Sequence, residues 1–226
     1  MALPVAPMAL PAAADDNGTQ FTTHHVVDTH VRGKALSVVY TNDPVSVESS
    51  IQTIEQFLAE DKYQVVGFDL EYNIGHVGHD QKDAVAQLCV RPDILVYHYH
   101  LATRPCELFS RFINSSDYSF PTVDTTNDLK ALKVSGLKCL NLVNIQHHYK
   151  VWGSDNNKLN SLVDLPSAII DPYYMKRKDE SQKDKIAWHN VWHERLDEQH
   201  VKYEAKDAYT SYEMYRRIVD MRKCLF

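Results

Sequence analysis

Residues 65–72 read VVGFDLEY. Along a strand, residues two apart share a face, so the carboxylates of Asp69 and Glu71 emerge side by side. No Lys or Arg lies within the run to offset them. Two like charges that close raise a pKa or attract a cation. D-x-E in a strand is most often a solvated face. Here Val65, Val66, Gly67 and Phe68 instead suggest a central strand covered on both faces. The acids then stand at its C-terminal end, where open α/β sheets collect ligands. A divalent metal ion is the guest this pattern suits. Tyr203 and Asp207, in QHVKYEAKDAY, are four apart, which puts a phenol and a carboxylate on one helix face. Asp128, in TTNDLKAL, falls near the start of a helix that follows a short strand. An acid there more often only complements the helix dipole. Each signal alone is common; their order along the chain is not.

These residues need elements to hold them. TTHHVVDTHV and ALSVVYT flank RGK and predict a β-hairpin at about 22–41. Asp43-Pro44 opens a helix with an apolar stripe of Val45, Val47, Ile51, Ile54 and Phe57. VVGFDLEY, AVAQLCV and ILVYHY follow as three strands, which suggests an antiparallel meander. A helix at about 103–114, a short strand near 119–123 and a helix from Asp124 to Ser135, stopped by Gly136, come next. In that reading Asp124 caps its helix. Residues 158–170 predict another helix, and a long one closes the chain from about 197 to 222. The whole reads as a mixed α/β sheet with helices on both sides.

In combination these motifs resemble the Werner-type and ribonuclease D-like 3′→5′ exonucleases of the DEDDy branch. VVGFDLEY is similar to that family's first motif, F-D-x-E followed by an aromatic, with Tyr72 where Trp is usual. AVAQLCV is similar to the neighbouring strand, DLKAL to the second motif and QHVKYEAKDAY to the third, with Gln199, Tyr203, Asp207 and Ala208 in register. LNSLVDL (159–165) and the run Trp192, Leu196, Gln199 extend the likeness to about 24–220. TVDTT replaces a Gly-rich lead into the second motif, so Asp124 competes with Asp128; the D-L-x-x-L register favours Asp128. Asn144 stands where an Asp is common.

The resemblance implies an RNase H-like (DnaQ-like) fold and a two-metal-ion nuclease using Mg²⁺ or Mn²⁺. Its four metal-binding acids fall on Asp69, Glu71, Asp128 and Asp207. Phosphodiester hydrolysis needs an attacking hydroxide, stabilised added charge and a supported leaving oxygen, which two ions about 4 Å apart supply together. On this pattern Asp69 bridges both ions, Glu71 and Asp207 complete the water-activating site, and Asp128 acts through the second ion. Tyr203 orients the water; a phenol ionises near pH ~10, too high for a free base. The expected activity is release of nucleoside monophosphates from single-stranded RNA or DNA. A homo-oligomer and contact with small-RNA machinery are implied by resemblance alone. The alternative is a non-catalytic nucleic-acid or protein-binding scaffold that keeps the fold, although such a module has no need of four converging carboxylates.

The bulk numbers agree with one domain. A chain of 226 residues, 44% hydrophobic and 24% charged, can bury a real core. The expected division is a disordered Ala/Pro-rich tail at 1–21 and an exonuclease domain at 22–226. A net charge of −6 argues against a broad basic platform for duplex nucleic acid. It leaves room for a local basic rim: Lys176, Arg177 and Lys178, with Lys183 and Lys185, are candidates to receive a phosphate backbone. Tyr173 and Tyr174 beside them could stack bases. Cys89, Cys106, Cys139 and Cys224 lack C-x-x-C spacing and read as buried thiols of an intracellular protein, in cytoplasm or nucleus. His189 and His193, and His76 and His79, form pairs without a third ligand, so structural zinc is not expected.

Overall fold

A computed structural model describes residues 19–29, 34–72, 83–149, 161–176 and 191–224. The first two strands, β1 (Thr22–Asp28) and β2 (Ala35–Thr41), pair antiparallel in unbroken register from Thr22↔Thr41 to Asp28↔Ala35. Helix α1 (Pro44–Glu60) starts where its side chains dictate. Asp43 accepts from the amides of Val45 (3.0 Å) and Ser46 (3.2 Å), and Pro44 needs no partner in a first turn. Its buried stripe is Val47, Ile51, Ile54 and Leu58. Val45, expected inside, is exposed, and Phe57 is half-buried, because the face turns with a 3.6-residue period that reaches Leu58 instead.

The expected meander is present. β3 (Gly67–Tyr72), β4 (Asp83–Val90) and β5 (Asp93–Tyr97) pair antiparallel in turn, and β5 joins β2 in parallel. The five-stranded order is therefore β1-β2-β5-β4-β3. Beyond β3, the pair β6 (Phe120–Thr122) and β7 (Leu142–Asn144) runs parallel. A parallel bridge between Val65 and Ser119, with Val66 N–H donating to Ser119 O at 2.9 Å, places β6 alongside the lead into β3. That contact gives β3 a neighbour on each side, as its apolar run suggested. β7 is too short to have been legible.

Among the described residues, four further helices add to the α/β layers: α2 (Glu107–Ile113), α3 (Thr125–Val134), α4 (Asp164–Ile169) and α5 (Glu198–Lys223). Phe68 points to the α2 side, edge-on to Phe120, which is edge-on to Phe112. Its neighbours on β3 face the other way, against α5. α4 is shorter than expected, and Pro166 explains it. Proline fits only a first turn, so no helix runs through residues 161–163, while 158–160 of the expected helix lie outside the described residues; Ser161 forms the turn before α4, its hydroxyl accepting from Asp164 N–H at 3.1 Å. Arg217 of α5 donates to the carbonyls of Ile169 (3.1 Å) and Ile170 (3.0 Å) and ties off the other end. Ile145, Leu165, Ile169, Met214 and Ile218 make a second, smaller core there.

A buried polar chain fastens the lead into α5 to the sheet. Leu196 N–H donates to Tyr40 Oη (2.8 Å), Tyr40 Oη meets His98 Nδ1 (2.9 Å), and His98 Nε2 meets Trp192 O (3.0 Å). With a hydroxyl proton pointing at Nδ1, the other ring nitrogen carries the imidazole proton. Burial holds the His98 ring neutral, its pKa pushed down to about 3, with His100 adding to the effect. Asp197 then caps α5, accepting from the amides of Gln199 (2.8 Å) and His200 (2.9 Å). Among the described residues no helix is long and apolar enough to cross a membrane. Cys89, Cys106 and Cys139 are free and buried; Cys224, expected buried, is exposed because it lies past the last turn of α5.

Candidate active site

Asp69 and Glu71 leave β3 on one face, and a break in register between Glu71 and Tyr72 ends regular pairing with β4 there. The opposite wall is α5. Gly67, two residues before Asp69, faces its backbone so closely that an added Cβ would stand 2.3 Å from Ala208 O and 2.7 Å from Tyr212 Cβ. Only glycine permits that approach. The contact seats the helix turn that carries Asp207 over the strand that carries Asp69.

Asp128 arrives from a third direction. β6 runs parallel to the lead into β3, so the chain leaves both strands at the same end of the sheet. α3 begins just after β6, and Thr122 Oγ1 donates to Asp128 Oδ2 at 3.2 Å. Asp128 is buried and Asp124 exposed, which separates the two competing acids. Asp124 stands at the N-cap position but makes no side-chain cap bond, contrary to the expectation of a capping role. Its φ of 60° is left-handed, whereas a capping side chain needs an extended backbone to reach the first-turn amides.

The structure thus brings Asp69, Glu71, Asp128 and Asp207 into one electrostatic neighbourhood. Burial pushes the Asp69 carboxyl well above the usual range, and Glu71, Asp128 and Asp207 push it further. Opposing this is the Leu70 amide, which donates to Oδ1 at 3.1 Å. Burial likewise raises Glu71, helped by Asp207 and Asp128. Asp128 is pushed up to about 7 by burial; the Thr122 bond lowers it and Asp124 raises it. Tyr72, half-buried beside them, is raised by burial and by the negative charge of Asp128, Glu71, Asp69 and Asp124. Among the described residues, no three His, Cys, Asp or Glu side chains already stand close enough to hold a metal ion. The donor chemistry nonetheless fits one: hard carboxylate oxygens, collected by burial, whose strongest charged neighbours are other carboxylates.

Tyr203 is half-buried on α5, one turn before Asp207. Lys176 ends a short 3₁₀ turn, Pro172–Lys176, while Arg177 and Lys178 lie outside the described residues, as do Lys183, Lys185, His76, His79 and His189. Tyr174 is buried and Tyr173 half-buried, so Tyr174 is packed in the fold and not held out for base stacking. Sequence reasoning missed Gln87 and Glu204. Gln87 lies directly opposite Asp69 on β4, fully buried, and its Nε2 donates to the fully buried Glu204 carboxylate on α5. The available signal was a single amide in the otherwise apolar AVAQLCV.

No model of a known protein family matches the chain, and no curated protein matches it in sequence. Solved structures do match in shape. The EXO domain of Aedes aegypti Nibbler superposes with a TM-score of 0.57 at 14% identity, over 82% of this chain and 88% of that one. Trypanosoma brucei RNase D bound to GMP gives 0.60 at 13% identity, over 76% of this chain and 55% of that one. The catalytic core of RRP6 from Trypanosoma brucei gives 0.58 at 12% identity, over 93% and 64%. The chain thus spans a little over half of the RNase D chain and nearly two thirds of the RRP6 core. The chain has the RNase H-like fold of RNase D-like exonuclease domains.

Proposed function

We propose that the protein is a metal-dependent 3′→5′ exonuclease that releases nucleoside monophosphates from single-stranded nucleic acid. The observation that carries the reading is the convergence of four acids from three separate elements, β3, α3 and α5: Asp69, Asp128 and Asp207 are buried, Glu71 is half-buried, and the negative charge of Asp128 and Asp207 bears on both Asp69 and Glu71. Burying like charges together works against stability, so their presence is best explained by a cation they serve. Asp69, Glu71, Asp128 and Asp207 would hold Mg²⁺ or Mn²⁺, which when bound supplies an activated water and neutralises charge building on the phosphodiester.

The chain's own residues supply the rest. Thr122 fixes the orientation of Asp128, and the Leu70 amide fixes that of Asp69. Tyr203, on the Asp207 face of α5, directs the attacking water through its hydroxyl and limits where it can stand. The basic stretch Lys176, Arg177 and Lys178 serves as a rim for the phosphate backbone. The fold neighbour RNase D has been crystallised with GMP and with an RNA, which favours a nucleotide ligand for the same pocket here. The test is product analysis: uniformly labelled single-stranded RNA and DNA, incubated with Mg²⁺ or Mn²⁺, should yield mononucleotides, and a chelator should stop their release. Absence of mononucleotides from both substrates in both metals contradicts the proposal.

A further inference from the structure

Beneath the four acids lies a polar contact for which metal binding and packing give no direct reason. Gln87 stands opposite Asp69 in the β3–β4 pairing, and directly opposed residues of antiparallel strands project from the same face. Glu204 lies on α5 one residue past Tyr203 and three before Asp207. Both side chains are fully buried, and Gln87 Nε2 donates to Glu204 Oε2 across the sheet–helix interface. The amide oxygen of Gln87, Oε1, has no hydrogen-bond partner among the described residues. A buried carboxylate and a half-satisfied amide are a poor choice for stability, because an apolar pair of similar size packs at least as well. What the polar pair adds is direction. Apolar contacts tolerate small slides and rotations of a helix over a sheet, whereas one hydrogen bond selects a single offset.

The close approach at Gly67 sets the spacing between α5 and the sheet. The Gln87–Glu204 bond lies on the same face and sets the helix's offset along and around its axis. Between them they determine where Asp207 stands relative to Asp69. We infer that Gln87 and Glu204 form a positioning pair, which holds the Tyr203–Asp207 turn in register with Asp69 and so sets the affinity of the acids for a divalent ion. The inference rests on the metal-site reading above. Groups that orient metal ligands without touching the metal typically govern about 10–100-fold in affinity.

Calorimetric titration of Mn²⁺ into the metal-free full chain tests this without reference to turnover. Two double variants, Gln87→Met/Glu204→Met and Gln87→Leu/Glu204→Leu, replace the bond by apolar groups of similar bulk. Each should melt at or near the wild-type temperature yet bind Mn²⁺ at least about 10-fold more weakly. Glu204→Gln removes the charge but can still accept from Gln87 Nε2, and should bind within about threefold of wild type. A folded double variant with wild-type affinity overturns the inference and leaves the metal site standing. Equal losses in Glu204→Gln and the double variants overturn it too, by assigning the effect to charge. A wild-type chain that takes up no Mn²⁺ overturns both the inference and the metal-site reading.

Discussion

Asp128 and Asp124 carry the same charge one helical turn apart, and their surroundings give them different work. Asp128 is buried against the Thr122 hydroxyl; Asp124 is exposed on a left-handed residue. Asp128→Asn should lose about 10²-fold in turnover, the upper end of losses at metal-site partners. Asp124→Asn should stay within about twofold, because Asn tolerates the same backbone and the site is on the surface; initial rates on one oligonucleotide decide the ranking. Tyr203→Phe keeps the ring and removes only the oxygen. Turnover should fall roughly 10²-fold, the low end of positioning and acid–base effects, with melting temperature unchanged. A full-rate Tyr203→Phe enzyme removes that hydroxyl from the mechanism. Asp69 and Glu71 were legible because a period of two needs no tertiary knowledge. Glu204 was not: its partner lies 117 residues away, and nothing local marks an acid that will be buried.

At the scale of elements, two contacts hold α5, and each yields a measurement. A methyl at Gly67 would meet Ala208 O and Tyr212 Cβ well inside contact distance, and the Ala208 carbonyl cannot yield without moving the helix. Gly67→Ala should therefore cost about 1–3 kcal/mol in stability. It should also lose far more activity than that destabilisation explains, because Asp207 moves with the helix; melting curves and rates on the same preparation separate the two. The second contact is the chain Leu196–Tyr40–His98–Trp192. His98 has its folded pKa depressed to about 3, first by burial, against an unfolded value near ~6.5. The unfolded chain therefore binds the extra proton first as pH falls. His98's contribution to stability is fully present above pH ~6.5 and is lost progressively from there toward pH ~3. Melting temperature plotted against pH should fall more steeply for wild type than for His98→Gln across that window. Parallel curves would mean that the ring does not stay neutral in the fold. Element boundaries were readable where side chains enforce them, as at Asp43-Pro44 and Asp197. Pro166 was equally explicit and shows why residues 161–163 are not helical and α4 starts at Asp164.

For the molecule as a whole, the sheet order and the helix layers place the C-terminal ends of β3 and β6 and the first half of α5 around one volume. The hairpin, the meander and the long final helix followed from pattern alone. The β3–β6 contact that brings Asp128 to Asp69 did not, because β6 and β7 are three residues each and carry no periodicity. The shape shared with RNase D and the RRP6 core extends across most of the chain at 12–13% identity, so a similar fold is reached with most side chains different. The most direct measurement is gel analysis of a 5′-labelled single-stranded oligonucleotide digested in Mg²⁺ or Mn²⁺ by wild type and by Asp207→Asn. The wild-type chain should shorten the strand one nucleotide at a time from its 3′ end, giving a descending ladder, and Asp207→Asn should leave it intact at equal protein concentration. An undegraded strand with wild type, or the same ladder with Asp207→Asn, would contradict the account.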